Sequence, residues 1–441
     1  MKEFFDYLKS KRLIPNKDLL IHAMVMSDES CRDLVINGIG YASITQNVNR
    51  SSNFDFLANS TLSGGDFPCS KMPCRLKNIE RLARNAALYA DTVYLTNPFE
   101  KYYHHEKFTE YDKYEIAQNV YLLYAAKPLF DEGIFKLSSS IMHVCENCLK
   151  KLNIAQKRYE KKLVKTQWDL LDMVWKRNKF EVKLAADGAP YVEVTGDTDI
   201  YEHSIVYNLM NCPDAEIIAK VKKLVTPGKI SLEQLIDLGI AGNIINPIVD
   251  DLVNQHFYAN HRSAHYLTNR TIDGKCIDKN HKKSAAGQNK LIAGALKHEL
   301  PFLDGLELKK LLELRKKEGE AFQLYRSSFT SFLADAKKDY DLKQAFDDEI
   351  RPEINRMNQT IKKAKKLIAA DIKKDLIVGS TFVSVGLFSH LLPPNIAQIV
   401  AAVGGINYLG KFGENVKKAA TVESEISDNK YYFIWKLGKS K

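Results

Sequence analysis

The chain has 441 residues, 45% apolar and 27% charged, with 64 basic against 54 acidic side chains and a net charge of +10. Such a length is more than one hydrophobic core usually serves, and the composition is that of an ordinary globular protein, which excludes a small stapled scaffold and a disordered chain. The basic excess, spread over so many residues, permits an anionic partner without requiring one.

The N-terminal stretch MKEFFDYLKSKRLIPNKDLLIH mixes Phe4 and Phe5 with Lys and Asp and has no continuous apolar run before a small-residue cleavage site. It argues against secretion. Seven cysteines, four of them in close pairs, suggest metal binding before disulfides. A cytoplasmic location is the expectation.

In chain order, RLKNIERLARNAALYA carries Leu76, Ile79, Leu82, Ala83 and Ala86 at helical spacing, and DTVYLTNPF reads as a short buried strand ended by Pro98. YEIAQNVYLLYAAKPLFDEG reads as a helix closing at Gly133, and IFKLSSS as the next strand. Strand, helix and strand in this order predict a parallel crossover. A charged helix over 153–179 should turn Trp168, Leu171 and Val174 toward the core. EVKLAADGAPYVEVTG then predicts a hairpin about Asp187 and Gly188. Residues 200–255 read as helical, and HRSAHYLTNRTIDG as one more strand and turn.

Beyond Pro301 the pattern changes. Leu308, Leu311, Leu312, Phe322, Tyr325, Phe329 and Phe332 form one helical stripe, and helical spacing resumes over 341–374 with Pro352 as a kink, which predicts two long antiparallel helices. The fold class expected is therefore an α/β (mixed α+β) N-terminal part over 1–300 and a mainly α-helical C-terminal part over 301–441.

Cys69 and Cys74, with four residues between them, and Cys145 and Cys148, with two, have the spacing of paired zinc ligands. A closed structural four-thiolate zinc site joining the regions near 70 and 147 is the leading reading. Two unligated pairs and a redox centre are the alternatives, and His143 could replace a thiolate. His104, His105 and Glu106 follow the strand DTVYLTNPF, where α/β proteins place ligands, although a solvated loop would look the same. Asp250, Asp251 and Asp273 lie in a stretch that also carries His256, His261, His265 and Asn269. Such carboxylates could hold Mg²⁺ for phosphodiester cleavage, and LTNRTID resembles the last acidic strand of PIN-type nucleases.

Basic runs such as KKLNIAQKRYEKKLVK carry few aromatics and read as solvated helix faces, leaving nucleic-acid binding to charge alone. Residues 376–410 form an apolar hairpin broken by Pro393 and Pro394. Each arm is shorter than the ~20 residues of a comfortable membrane crossing, so a buried helical hairpin and a conditional membrane insertion are both open. The plan of soluble domains followed by such a hairpin is similar to that of pore-forming bacterial toxins.

NAALYADTVYLTNPF, KPLFDEGIFKL followed by HVCENC, SAHYLTN, and LPFLDGLELKKLLELRKKEGEAFQLYR together resemble a diffuse group of uncharacterised bacterial proteins associated with accessory gene sets, antiphage defence among them. The resemblance implies a bacterial defence or stress-response component acting through binding to a protein partner, more a binding protein than an enzyme. A membrane-disrupting effector and a metal-dependent nuclease are the competing expectations.

Overall fold

The computed structural model describes residues 1–44, 55–139, 145–186, 188–196, 205–208, 227–261, 264–270, 272–273 and 308–317, with isolated positions elsewhere. Contacts divide the chain into two units, Met1–Glu299 and Leu300–Lys441. The first is a mixed α/β structure built on two sheets.

Three helices open it: α1 (Lys2–Ser10), α2 (Leu19–Met24) and α3 (Asp28–Ile44). Phe4, Phe5 and Leu8 line one face of α1 and are buried, as are Cys31, Leu34, Val35 and Ile39 of α3. Burial of large apolar side chains at helical spacing fixes these helices more firmly than propensity does.

The chain then enters β1 (Asp55–Ala58), α4 (Met72–Tyr89), β2 (Thr92–Thr96), α5 (Glu110–Ala125), α6 (Lys127–Asp131) and β3 (Phe135–Ser138). β1 pairs with β2 and β2 with β3, both parallel, as the strand, helix and strand order required. All four residues of β1 are buried, so the sheet is covered on both faces, the usual state of a parallel sheet. The helix expected over 114–133 is two helices. Pro128 lies at the start of α6, where its missing N–H costs nothing, and the chain bends at Ala126 before closing at Gly133 with φ of 72°.

α7 (Glu146–Arg177) runs directly into β4 (Asn178–Leu184), which turns back as β5 (Pro190–Gly196), the expected hairpin, with Gly188 at φ of 81°. Trp168 corrects the sequence reading. α7 is buried at Tyr159 and again at Leu170, Leu171 and Val174; Trp168 lies between these two contacts and is 70% exposed.

The helical reading of 200–255 is corrected at 205–208 and 228–229, which are strands. β6 (Ile205–Asn208) pairs with β5, and β7 (Gly228–Lys229) with β4, giving an antiparallel sheet ordered β6-β5-β4-β7. Ile205, Val206 and Tyr207 have strand-forming side chains, and the free edge of the β4–β5 hairpin supplies the partner that local periodicity cannot reveal. Among the described residues the helices that follow are α8 (Leu232–Asp237), opened by a Ser231 and Gln234 capping box, and α9 (Ile240–Asp250). A π-helical turn at Asp251–His256 leads into α10 (Phe257–His261) and then β8 (His265–Leu267).

β8 pairs parallel to β1 on the side away from β2, so the first sheet is ordered β3-β2-β1-β8. The chain moves outward from β1 through β2 to β3, then returns to the other side of β1. In the second unit, α11 (Leu308–Lys317) buries Leu311 and Leu312, and Phe322 is also buried. The remainder of the predicted helical pair and the hairpin 376–410 lie outside the described residues. Among the described residues no helix is long and apolar enough to cross a membrane.

Candidate functional site

Ligands of open parallel sheets bind beyond the carboxyl ends of the strands, where the strand order reverses. Here the reversal falls between β1 and β8, and two polar assemblies stand at this end of the sheet.

The first surrounds Arg270, just after β8. Its guanidinium is 2% exposed and lies between two buried carboxylates. Nη2 donates to Asp251 Oδ2 at 2.6 Å and to Asp273 Oδ2 at 2.9 Å, and Nε donates to Asp273 at 3.1 Å. Asp251 also accepts from the Ser60 amide at 3.0 Å and the Ser60 hydroxyl at 2.8 Å, which ties the π-helical turn to the end of β1. Asp273 accepts from Tyr266 Oη and Thr268 Oγ1 at 2.9 and 2.7 Å. Asn59 completes the network by donating to Thr268 Oγ1 at 3.0 Å. Burial pushes the Asp251 carboxyl above its ordinary range even with Arg270 beside it, while the two carboxylates hold Arg270 firmly protonated against its own burial. Burial, with Asp273 adding to it, pushes Tyr266 up as well, so its hydroxyl keeps its proton and donates.

The structure thus brings together Asp251 and Asp273 from the predicted nuclease triplet and leaves Asp250 at an exposed position. The pair does not suit a divalent cation: a hard cation needs open carboxylate oxygens and room for water, and Arg270 already occupies the space between the two. His256, from the same stretch, is a packed core histidine. Tyr159 Oη meets its Nδ1 at 2.6 Å, and its ring stands edge-on to Tyr266.

The second assembly is a cavity of about 360 Å³ beyond the carboxyl ends of β1, β2 and β3, within the size range of small-molecule sites. Ser60, Ser63, Gly64 and Gly65 contribute the loop after β1, Thr96 and Asn97 the end of β2, and Ser138 the end of β3. Leu95, Leu122, Leu123 and Leu137 make much of the wall apolar. The β1 loop is tied down by side-chain hydrogen bonds. Asn59 Oδ1 accepts from the Leu62 amide at 2.9 Å, and Ser63 Oγ donates to the Asn59 carbonyl at 2.8 Å while accepting from the Thr96 amide at 3.0 Å. Gly64 sits at φ of 85°, and a Cβ on Gly65 would stand 2.7 Å from the Ser60 carbonyl oxygen, so this turn admits the glycine pair and little else.

Arg75, in the first turn of α4, reaches into this cavity and is 4% exposed. Nε donates to the Gly64 carbonyl at 2.7 Å, Nη1 to Gln118 Oε1 at 2.8 Å and Nη2 to Asn119 Oδ1 at 2.5 Å. All three acceptors are neutral. The nearby carboxylate on α5, Glu115, is engaged by Lys101 Nζ at 2.9 Å and Tyr102 Oη at 2.8 Å. Thr96 Oγ1, also at the cavity, is buried without a hydrogen-bond partner.

The other expected positions fall elsewhere. His104 is exposed; His105 packs against Tyr102 and Phe108, and neither lines the cavity. Cys145 caps α7 and Cys148 lies in its first turn. Hydrogen bonds from the Cys148 amide and thiol pull the Cys145 thiol below its ordinary range, and the same contact pushes Cys148 up. Cys69 precedes α4, and Cys74 stands in its exposed first turn. Among the described residues no three His, Cys, Asp or Glu form a group able to hold a metal ion. On α7, Lys150 pairs with Glu146 and Lys176 with Asp172, as on a solvated helix face.

Sequence reading missed Arg75, although a signal was present. It shares the helical face of Ile79, Leu82 and Ala86, a buried stripe on which arginine is out of place. No protein-family model, curated protein or solved structure matches the chain.

Proposed function

We propose that the N-terminal unit is a binding module that takes a small ligand into the cavity beyond β1, β2 and β3, and that the chain is a ligand-sensing component of a bacterial defence or stress response. The observation that carries the binding reading is the cavity itself, a preformed space at the ligand-binding end of a parallel sheet, walled by leucines and holding a buried arginine whose hydrogen bonds all go to neutral acceptors. The defence setting, and a protein partner for the helical part, rest on the resemblance of sequence segments alone. Asp251 and Asp273, the carboxylates that a nuclease reading would use, are spent on Arg270.

The test is a thermal-shift screen of the full chain against a metabolite library, repeated on Leu122→Trp, which places an indole in the cavity. Compounds that raise Tm of the parent and lose that effect in the variant are the expected result. A screen with no stabilising compound, or with compounds that stabilise both proteins equally, would remove the cavity as the binding site.

A further inference from the structure

We infer that the ligand of this cavity carries an anionic oxygen group, a phosphate or a carboxylate, that docks on Arg75; the inference rests on the cavity being a binding site. A guanidinium has five N–H donors. Arg75 spends three on the Gly64 carbonyl, Gln118 and Asn119. Two donors and the whole formal charge are left uncompensated by any ion pair among the described residues.

Burying a charge without a counter-ion is costly, and proteins rarely leave one so. Arg270, at the same end of the sheet, shows the ordinary solution, with two carboxylates around one guanidinium. Arg75 instead keeps its charge where a ligand can reach it. The remaining charged side chains at the cavity do not cancel it. Asp66 is exposed to water and Glu100 partly so, which screens both, and Lys101 is spent on Glu115. A guanidinium fork matches phosphate and carboxylate oxygens, and the fixed acceptors around Arg75 hold the fork in place before binding.

The apolar wall of Leu95, Leu122 and Leu137 suits a planar or aliphatic body behind the anionic group.

The experiment titrates the full chain, by calorimetry, with three probes of similar body: phenyl phosphate, benzoate and benzyl alcohol. The expected result is binding of one or both anions at least tenfold tighter than the neutral alcohol, and weaker binding as salt is raised; whichever anion binds better identifies the oxygen group. Gln118→Glu supplies Arg75 with an internal carboxylate while keeping the size of the side chain. It should cost anion binding tenfold or more while leaving the alcohol unaffected, and it should raise Tm of the ligand-free protein. That second readout separates a filled charge site from a damaged fold. Equal binding of all three probes, lost in Leu122→Trp, would keep the cavity as a site and overturn the anionic assignment. Undiminished anion binding in Gln118→Glu would also overturn it. Binding of none of the three would overturn the assignment, leaving the library screen to judge the cavity.

Discussion

Two buried arginines stand at the same end of one parallel sheet and are treated in opposite ways. Arg270 is enclosed by Asp251 and Asp273, with Ser60, Tyr266 and Thr268 donating further hydrogen bonds to these carboxylates. Arg75 has three neutral acceptors and a cavity. A closed ion cluster fixes how β8, the π-helical turn and the β1 loop meet, because every member depends on the others. An uncompensated guanidinium does little for that purpose, since it carries its desolvation cost without Coulombic return. The difference separates a structural fastening from a poised site more clearly than residue type does, as both centre on an arginine.

The sharpest way to break this comparison is at Arg270. Arg270→Met leaves Asp251 and Asp273 facing each other in the core and is expected to cost about 3–5 kcal/mol in denaturant unfolding. Adding Asp251→Asn and Asp273→Asn to it should recover much of that loss. If the single variant unfolds like the parent, the cluster is not the fastening described. Next in size is Gly65→Ala, whose Cβ meets the Ser60 carbonyl at 2.7 Å. A loss of about 1–3 kcal/mol is expected, together with weaker binding in the cavity, because the backbone of the β1 loop must shift.

Gln118→Glu sharpens the other side of the comparison, with a stability gain of up to about 1 kcal/mol at neutral pH. No gain would mean that Arg75 is already compensated. Smaller again is the tie between α1 and α3, where Tyr7 Oη donates to Asp33 at 2.7 Å. That hydrogen bond, with Lys11 adding to it, holds the Asp33 carboxyl below its ordinary value. A carboxyl depressed in the folded state contributes stability above its ordinary pKa of about 3.9, and the contribution is lost as pH falls through the folded-state value. Tyr7→Phe should therefore be less stable than the parent at neutral pH and converge with it in acid, as followed by urea unfolding at stepped pH. The smallest effect is expected at Cys145→Ser, within about 0.5 kcal/mol, because Cys145 is exposed. Metal analysis beside it decides the zinc proposal: one equivalent of zinc, lost with the substitution, would require the two cysteine segments to meet.

Sequence alone determined the units whose cause is local. Ile79, Leu82 and Ala86 at helical spacing, the β-rich run TVYLT, and the stops at Pro98 and Gly133 were enough for a parallel crossover; the alternation around Gly188 was enough for the hairpin. It also drew attention to Asp251 and Asp273. What their pairing means was decided only by tertiary structure, because Arg270 turns two carboxylates that could have held a cation into a buried ion cluster, and a sequence does not say which charges face each other. β6 escaped for the same reason, since its hydrogen-bond partner is an edge on another strand. Arg75 is the clearest case. Its place on an apolar stripe was readable, but whether a carboxylate waits for it across the core depends on where α5 and the β1 loop lie, and burial is what makes that one missing partner matter.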